Sequence, residues 1–228
     1  MRNFIFLSFM FFAFCLVLPV SAQNCYVGVL GGLNFADMDV VGDDEDQEVS
    51  SHRVFGAGGV FGIDLNSNFS LQLYPMYLQK GGTMEMDDSE SDIDFKMAFL
   101  EMPLFLKAAF GKDIRPYVLA GPTFGFLLTS ECEAEINDLA IKADLKDITE
   151  KLDVGIGLGG GVGFSLWKGS IFLEGRYTFG LNNLNKGGLV EFKTDDIIIT
   201  THEVDEQDEF KNKGFQITAG FTLPLGKQ

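Results

Sequence analysis

The sequence predicts an all-β protein: an eight-stranded antiparallel up-and-down transmembrane β-barrel with short periplasmic turns and long extracellular loops. Three observations predict it. Successive segments alternate apolar residues with glycine or polar ones in steps of two, the period of a strand. The connections between those segments alternate short and long, as they do in outer-membrane barrels. The chain also opens like an exported protein: Arg2 precedes an apolar run over residues 4–18, and Val20-Ser21-Ala22 forms a small-residue cleavage site. Residues 1–22 are accordingly read as a cleaved signal peptide and residues 23–228 as one barrel domain. No later segment reaches the roughly 18 consecutive apolar residues of a membrane helix. Phe14 before Cys15 and Asn24 before Cys25 do not supply the small residue that lipid attachment requires, so no lipid anchor is expected.

Each strand follows from its alternation. Residues 26–36 place Val27, Val29, Leu33 and Phe35 on one face, with Gly28, Leu30, Gly32 and Asn34 on the other. Residues 54–65 separate Phe55, Ala57, Phe61, Ile63 and Leu65 from Gly56, Gly58, Gly62 and Asp64. Asn66-Ser67-Asn68 is a turn by composition, and a third strand from Phe69 directs Leu71, Leu73 and Tyr77 outward once Leu65 pairs with Phe69. Pro75 interrupts it, and a bulge is the expected accommodation. A fourth strand covers residues 95–110. After the short connection 111–115 comes a fifth, over residues 116–128, and pairing Phe110 with Pro116 sets Glu101 opposite Gly125. The eighth strand, residues 214–225, alternates Phe215, Ile217, Ala219, Phe221 and Leu223 with Gln216, Thr218, Gly220 and Thr222. An even number of strands lets an antiparallel sheet close with both chain ends on one side.

The sixth and seventh strands lie within residues 151–181 and define the interior. Leu152, Val154, Ile156, Leu158, Val162, Phe164 and Leu166 share one face, and the other is mostly glycine. With Lys168-Gly169 as a two-residue turn, Leu166 pairs with Ile171, Glu174 faces Gly163 and Arg176 faces Gly161. Charged side chains opposite glycines imply a narrow lumen filled by side chains. The expected polar core comprises Glu101, Lys107, Asp153, Glu174 and Arg176, whose opposite charges close the pore; an ion or proton path is the alternative.

The long connections, at residues 37–53, 81–94, 129–150 and 183–212, hold 28 of the 33 acidic residues but only 6 of the 17 basic ones. The net charge of −16 is therefore a property of one rim. Nucleic acid would be repelled by it. Asp37, Asp39, Asp43 and Glu48 are candidate ligands for weak calcium or magnesium binding: Asp37, Asp39, Gly42 and Glu48 match EF-hand positions 1, 3, 6 and 12, although Val41 stands where position 5 needs a ligand. No other cofactor is expected. Cations on such loops would bridge to lipopolysaccharide. His52 and His202, with Ser50, Ser51 and Asp205 nearby, are the residues a rim enzyme would use; no enzymatic role is assigned to them. Cys25 and Cys132 fall at opposite ends of an apolar band about 25 Å tall, too far apart for a disulfide. Residues 189–194 and 195–201 have strand-like composition, and residues 134–152 suit a short helix. A lipocalin-like carrier of an apolar ligand is the soluble alternative, but its glycine-rich face would be the exterior, leaving backbone exposed without gain.

The blocks GVLGGLNFA, LQLYPMYLQKGG, LEMPLFLKAAFGKDIRPYVLAGPTFGFLL, VGIGLGGGVGF, FLEGRYTFGLNN and KNKGFQITAGFTLPLG, in this order, resemble those of the PorT-type outer-membrane β-barrel family. That resemblance implies an exported eight-stranded barrel in a Gram-negative outer membrane, in contact with membrane lipid and lipopolysaccharide. Its founding member is linked to secretion of surface proteins, while most relatives have no assigned activity; the structural or interaction role expected here, with a protein partner, comes from the protruding acidic extracellular loops. No catalytic residues come with the resemblance. The chain departs from common barrel practice in ending Leu225-Gly226-Lys227-Gln228 rather than on an aromatic residue.

Overall fold

A computed structural model describes residues 25–41, 49–84, 93–136, 139–194, 197–204 and 209–225. The expected signal peptide, residues 1–22, lies outside them. The strands are β1 (Cys25–Val41), β2 (Val49–Asp64), β3 (Phe69–Leu73), β4 (Met76–Met84), β5 (Ile93–Glu101), β6 (Leu104–Ala109), β7 (Ile114–Ile136), β8 (Leu139–Asp144), β9 (Leu152–Leu166), β10 (Gly169–Gly180), β11 (Gly188–Thr194), β12 (Ile197–Val204) and β13 (Glu209–Pro224). They form one antiparallel sheet in which β3 with β4, and β5 with β6, act as single interrupted strands. The eight resulting wall strands close when β1 pairs with β13, with Leu33 opposite Ile217 and Phe35 opposite Phe215. Closure leaves no strand of the wall with an open edge, the condition for a sheet to sit in lipid. The first and last described residues meet at the short-turn side, where the Leu225 amide donates to the Cys25 carbonyl at 2.8 Å.

Alternation decides what faces lipid. Val29, Phe55, Phe61, Val118, Leu158, Leu173 and Ile217 are exposed around the wall, while their neighbours in sequence turn inward. A tilted strand needs only about 9–11 residues to cross the hydrocarbon. β1 and β2 have 17 and 16 residues and β7 has 23, so the wall continues well beyond the membrane on the extracellular side.

Several registers match the sequence reading. The Leu65 amide donates to the Phe69 carbonyl at 2.8 Å, and Asn66 Oδ1 accepts from the amides of Asn68 and Phe69, closing that turn. Glu101 stands opposite Gly125. The β9–β10 hairpin differs: its turn is Trp167-Lys168, with Gly169 opposite Leu166, so Glu174 faces Gly161 and Arg176 faces Gly159. Trp167, not a glycine, takes the left-handed conformation of the turn, with φ 51°. Gly169 is required instead in the strand, where a Cβ would lie 2.6 Å from the Phe221 ring and from the Thr222 carbonyl oxygen. The slip is two residues, so no side chain changes face.

Pro75 carries no bulge. The register of β2 is the same on both sides of it, with Phe61 opposite Leu73 and Gly58 opposite Met76. The ladder lapses at Tyr74-Pro75 and again at Met102-Pro103, so the expected continuous fourth strand is split too. Each proline lacks one donor but keeps its carbonyl engaged: Pro75 accepts from Gly59 at 2.9 Å and Pro103 from Tyr74 at 3.0 Å. Extra chain is therefore unnecessary.

Much of the expected loop is strand. β8 occupies part of the stretch that could have formed a short helix, because its residues pair with the upper part of β7, Glu133 opposite Lys142 and Cys132 opposite Ala143. β11 and β12 form the hairpin their composition suggested, and β11 joins β8 at Phe192 and Lys193. Above the membrane the order is thus β7, β8, β11, β12, with Cys132, Ala143 and Val190 buried against Phe95, Leu145, Ile148, Phe192 and Val204 as a small second core.

Candidate functional site

The lumen holds two polar groups. In the upper one Lys80 (β4) lies between Glu101 (β5) and Asp153 (β9): its Nζ pairs with Glu101 Oε1 and is 2.8 Å from Asp153 Oδ2. Asn212 on β13 donates a further bond to Asp153 at 2.9 Å. Gly125 sits between the two carboxylates in the wall, and a Cβ there would come within 2.8 Å of Glu101 Oε1, so glycine lets both acids lean over one ammonium. The Lys80 ammonium is also 4.9 Å from the Phe99 ring centre.

The lower group is built on β10. Arg176 and Glu174, each 1% exposed, project inward from the same strand, with Nη1 and Oε1 3.7 Å apart. That separation is too long for a hydrogen bond, and each group is held by other partners. Tyr117 donates to Glu174 Oε2 at 3.0 Å. Arg176 Nε donates to Gln216 Oε1 at 2.7 Å, its Nη2 is 3.2 Å from Met76 Sδ, and its guanidinium lies 5.0 Å from the Tyr74 ring centre. Tyr74 donates in turn to Gln72, and Gln72 to Tyr26. Lys107 stands apart from both groups, its ammonium 3.7 Å over the centre of the Tyr117 ring.

Of the expected lumen residues, Glu101 and Asp153 meet in the upper group and Glu174 and Arg176 in the lower. Lys80, missed from the sequence, completes the charge balance: three cations with three carboxylates. Counting in twos from Leu71, Leu73 and Tyr77 through Pro75 would have turned Lys80 inward. Asp37, the first of the cation-site candidates, pairs with Lys213 at 3.3 Å. The backbone there stays extended to Val41 and does not curl as an EF-hand loop does. The Asp39 side chain, Asp43 and Glu48 lie outside the described residues. Among the described residues no three His, Cys, Asp or Glu side chains are placed to hold a metal ion. His52 is on β2 opposite Ala36 and His202 on β12 opposite Val190; their side chains lie outside the described residues. Cys25 is at the periplasmic end and Cys132 in the extracellular core, both as free thiols.

Outside the membrane, Glu133 on β7 ties three strands together: it pairs with Lys96 of β5 and, at 2.9 Å, with Lys142 of β8. These bonds, first that from Lys96 and then that from Lys142, hold the Glu133 carboxyl down at about 2, against an ordinary value of 4.5. A depressed carboxylate stabilises the fold above its unfolded value and loses that contribution as pH falls toward its folded one. Amides of β8 are therefore expected to exchange about threefold faster, relative to intrinsic rates, at pH 3 than at pH 6. Hydrogen-exchange mass spectrometry checks this, and Glu133→Gln should remove the difference.

A closed antiparallel wall, apolar outside and polar within, defines an integral outer-membrane β-barrel. The family model for the outer membrane protein β-barrel domain matches residues 21–186, and the chain belongs to that family. Among solved structures, a major outer membrane protein from Thermus thermophilus is similar in fold, with a TM-score of 0.55 at 10% identity over 87% of this chain and 98% of that one. Neisserial surface protein A matches with a TM-score of 0.47 at 13% identity, covering 88% of this chain and 96% of its own. Ail, the attachment invasion locus protein of Yersinia pestis, matches with 0.42 at 12% identity, covering 88% and 99%. No curated protein matches the sequence.

Proposed function

We propose that the protein is a non-catalytic interaction barrel of the PorT type, a secretion accessory that holds its lumen shut and meets a protein partner through its acidic extracellular end. Residues 1–22 belong to this reading as the export signal, and the apolar outer belt as the contact with lipid and lipopolysaccharide. The observation that carries it is the occupied lumen. Lys80, Glu101, Asp153, Glu174 and Arg176 are all less than a tenth exposed, and Tyr74, Phe99, Phe105, Met76 and Leu78 fill the space between them. Eight strands leave a bore that side chains can fill, and parting buried charges from their partners is costly. The acidic residues then serve the surface, where charge guides partner choice and association rate.

Planar-bilayer recording tests this. Purified protein at neutral pH in 1 M KCl is expected to give no conductance steps; reproducible unitary steps would make it a channel.

A further inference from the structure

We propose that Thr200–Val204 of β12 is a docking edge for an extended, basic segment of a partner protein, which joins the extracellular sheet as an added strand. The inference rests on the interaction reading above and gives the partner its chemistry. Closure gives each wall strand two neighbours, but among the described residues the sheet above the membrane does not close. β12 is its end, paired through Gly188–Phe192 of β11 and, among the described residues, with nothing on its other side. Alternate N–H and C=O groups along that side lack strand partners, which is the template for strand addition. Exposed edges are ordinarily blunted by lysine, proline or a bulge. This one has neither residue, and its register shift falls between Phe192 and Lys193 on β11, toward the hairpin tip, leaving Thr200–Val204 regular.

Charge selects the occupant. Thr201 and Glu203 are exposed on β12 opposite Glu191 and Leu189. On the β11 side, Thr201 lines a groove of about 780 Å³ together with Glu131, Asp144, Asp147 and Glu191, and with Lys142 and Lys193. Both lysines are engaged, Lys142 with Glu133 at 2.9 Å and Lys193 with Glu191 at 3.0 Å. Glu131 and Asp144 stand directly opposite one another on β7 and β8, with Lys96 of β5 opposite Glu131 on its other side and already bound to Glu133. The carboxylates are spread along the groove and form no three-ligand metal site among the described residues, which suits a chain carrying several cations. A second copy of β12 is a poor occupant: the sequence brackets the strand with Asp195 and Asp196 before it and Asp205 and Glu206 after it, so antiparallel self-pairing brings acid to acid.

The test uses labelled peptides and fluorescence anisotropy on the full barrel folded in detergent micelles. The peptide KKVTIVTKK is expected to bind saturably, and at least tenfold more tightly than EEVTIVTEE or than its own form N-methylated at alternate amides. Glu203→Lys should weaken KKVTIVTKK about fivefold and strengthen EEVTIVTEE, with heat-modifiable migration confirming a folded barrel. Equal binding of the N-methylated peptide, no saturable binding, or an unchanged affinity in the Glu203→Lys variant would overturn the proposal. So would self-association abolished by the same substitution. Failure of peptide binding in a non-conducting barrel removes the docking edge and leaves the closed-barrel reading standing; conductance steps with peptide binding intact do the reverse.

Discussion

Arg176→Leu is expected to destabilise the folded barrel by about 3–5 kcal/mol, the range for a buried charge that loses its partner. The guanidinium is the cation nearest Glu174, and it also satisfies Gln216 Oε1 and rests on the Tyr74 ring. Leucine fills part of the volume but leaves the carboxylate with tyrosine hydroxyls alone, its Oε1 already without a hydrogen-bond partner. The measurement is the urea midpoint of the refolded protein in detergent, read by the gel shift between folded and unfolded forms. Adding Glu174→Gln to the same chain should recover much of the loss, because the double variant no longer buries an unpaired charge. An unchanged midpoint for the single variant would mean that the pair contributes nothing to folding.

Lys80→Met should be at least as damaging. Here one ammonium serves two carboxylates, Glu101 and Asp153, and methionine keeps the length of the side chain while removing the charge. Two like charges then remain in the low dielectric of the lumen, with Asn212 the remaining side-chain donor on Asp153. Stepwise neutralisation separates charge from packing: Lys80→Met with Glu101→Gln is expected to recover about half of the lost stability, and adding Asp153→Asn most of the rest. If the three urea midpoints coincide, packing of the lysine stem outweighs its charge.

The wall was legible because lipid outside and crowding inside impose opposite demands on successive residues, and alternation records both. Leu158 and Gly159, or Leu173 and Glu174, declare their sides without further information. Lys80 was harder to see. Its face reads Tyr74, Met76, Leu78, Lys80, so the inward side does not look polar there and a lone lysine at its end draws no notice. The extracellular strands were hidden for another reason. Acidic composition suggests solvated loop, yet in β1 and β13 the acids are matched across the ladder, Asp37 opposite Lys213 and Asp39 opposite Lys211. Pairing of this kind joins residues far apart in sequence and overrides local preference. The edge at β12 was unreadable for the same reason: composition made residues 195–201 strand-like, but only the sheet order reveals which side of that strand is left open.

The chain contains a single tryptophan. Trp167, at the tip of the β9–β10 turn, is 96% exposed, and the aromatic residues of the lumen are tyrosine and phenylalanine. Excitation at the red edge of the absorption band therefore addresses one periplasmic position without any label. Its emission wavelength reports the polarity around that turn during insertion, independently of rearrangements among the buried charges.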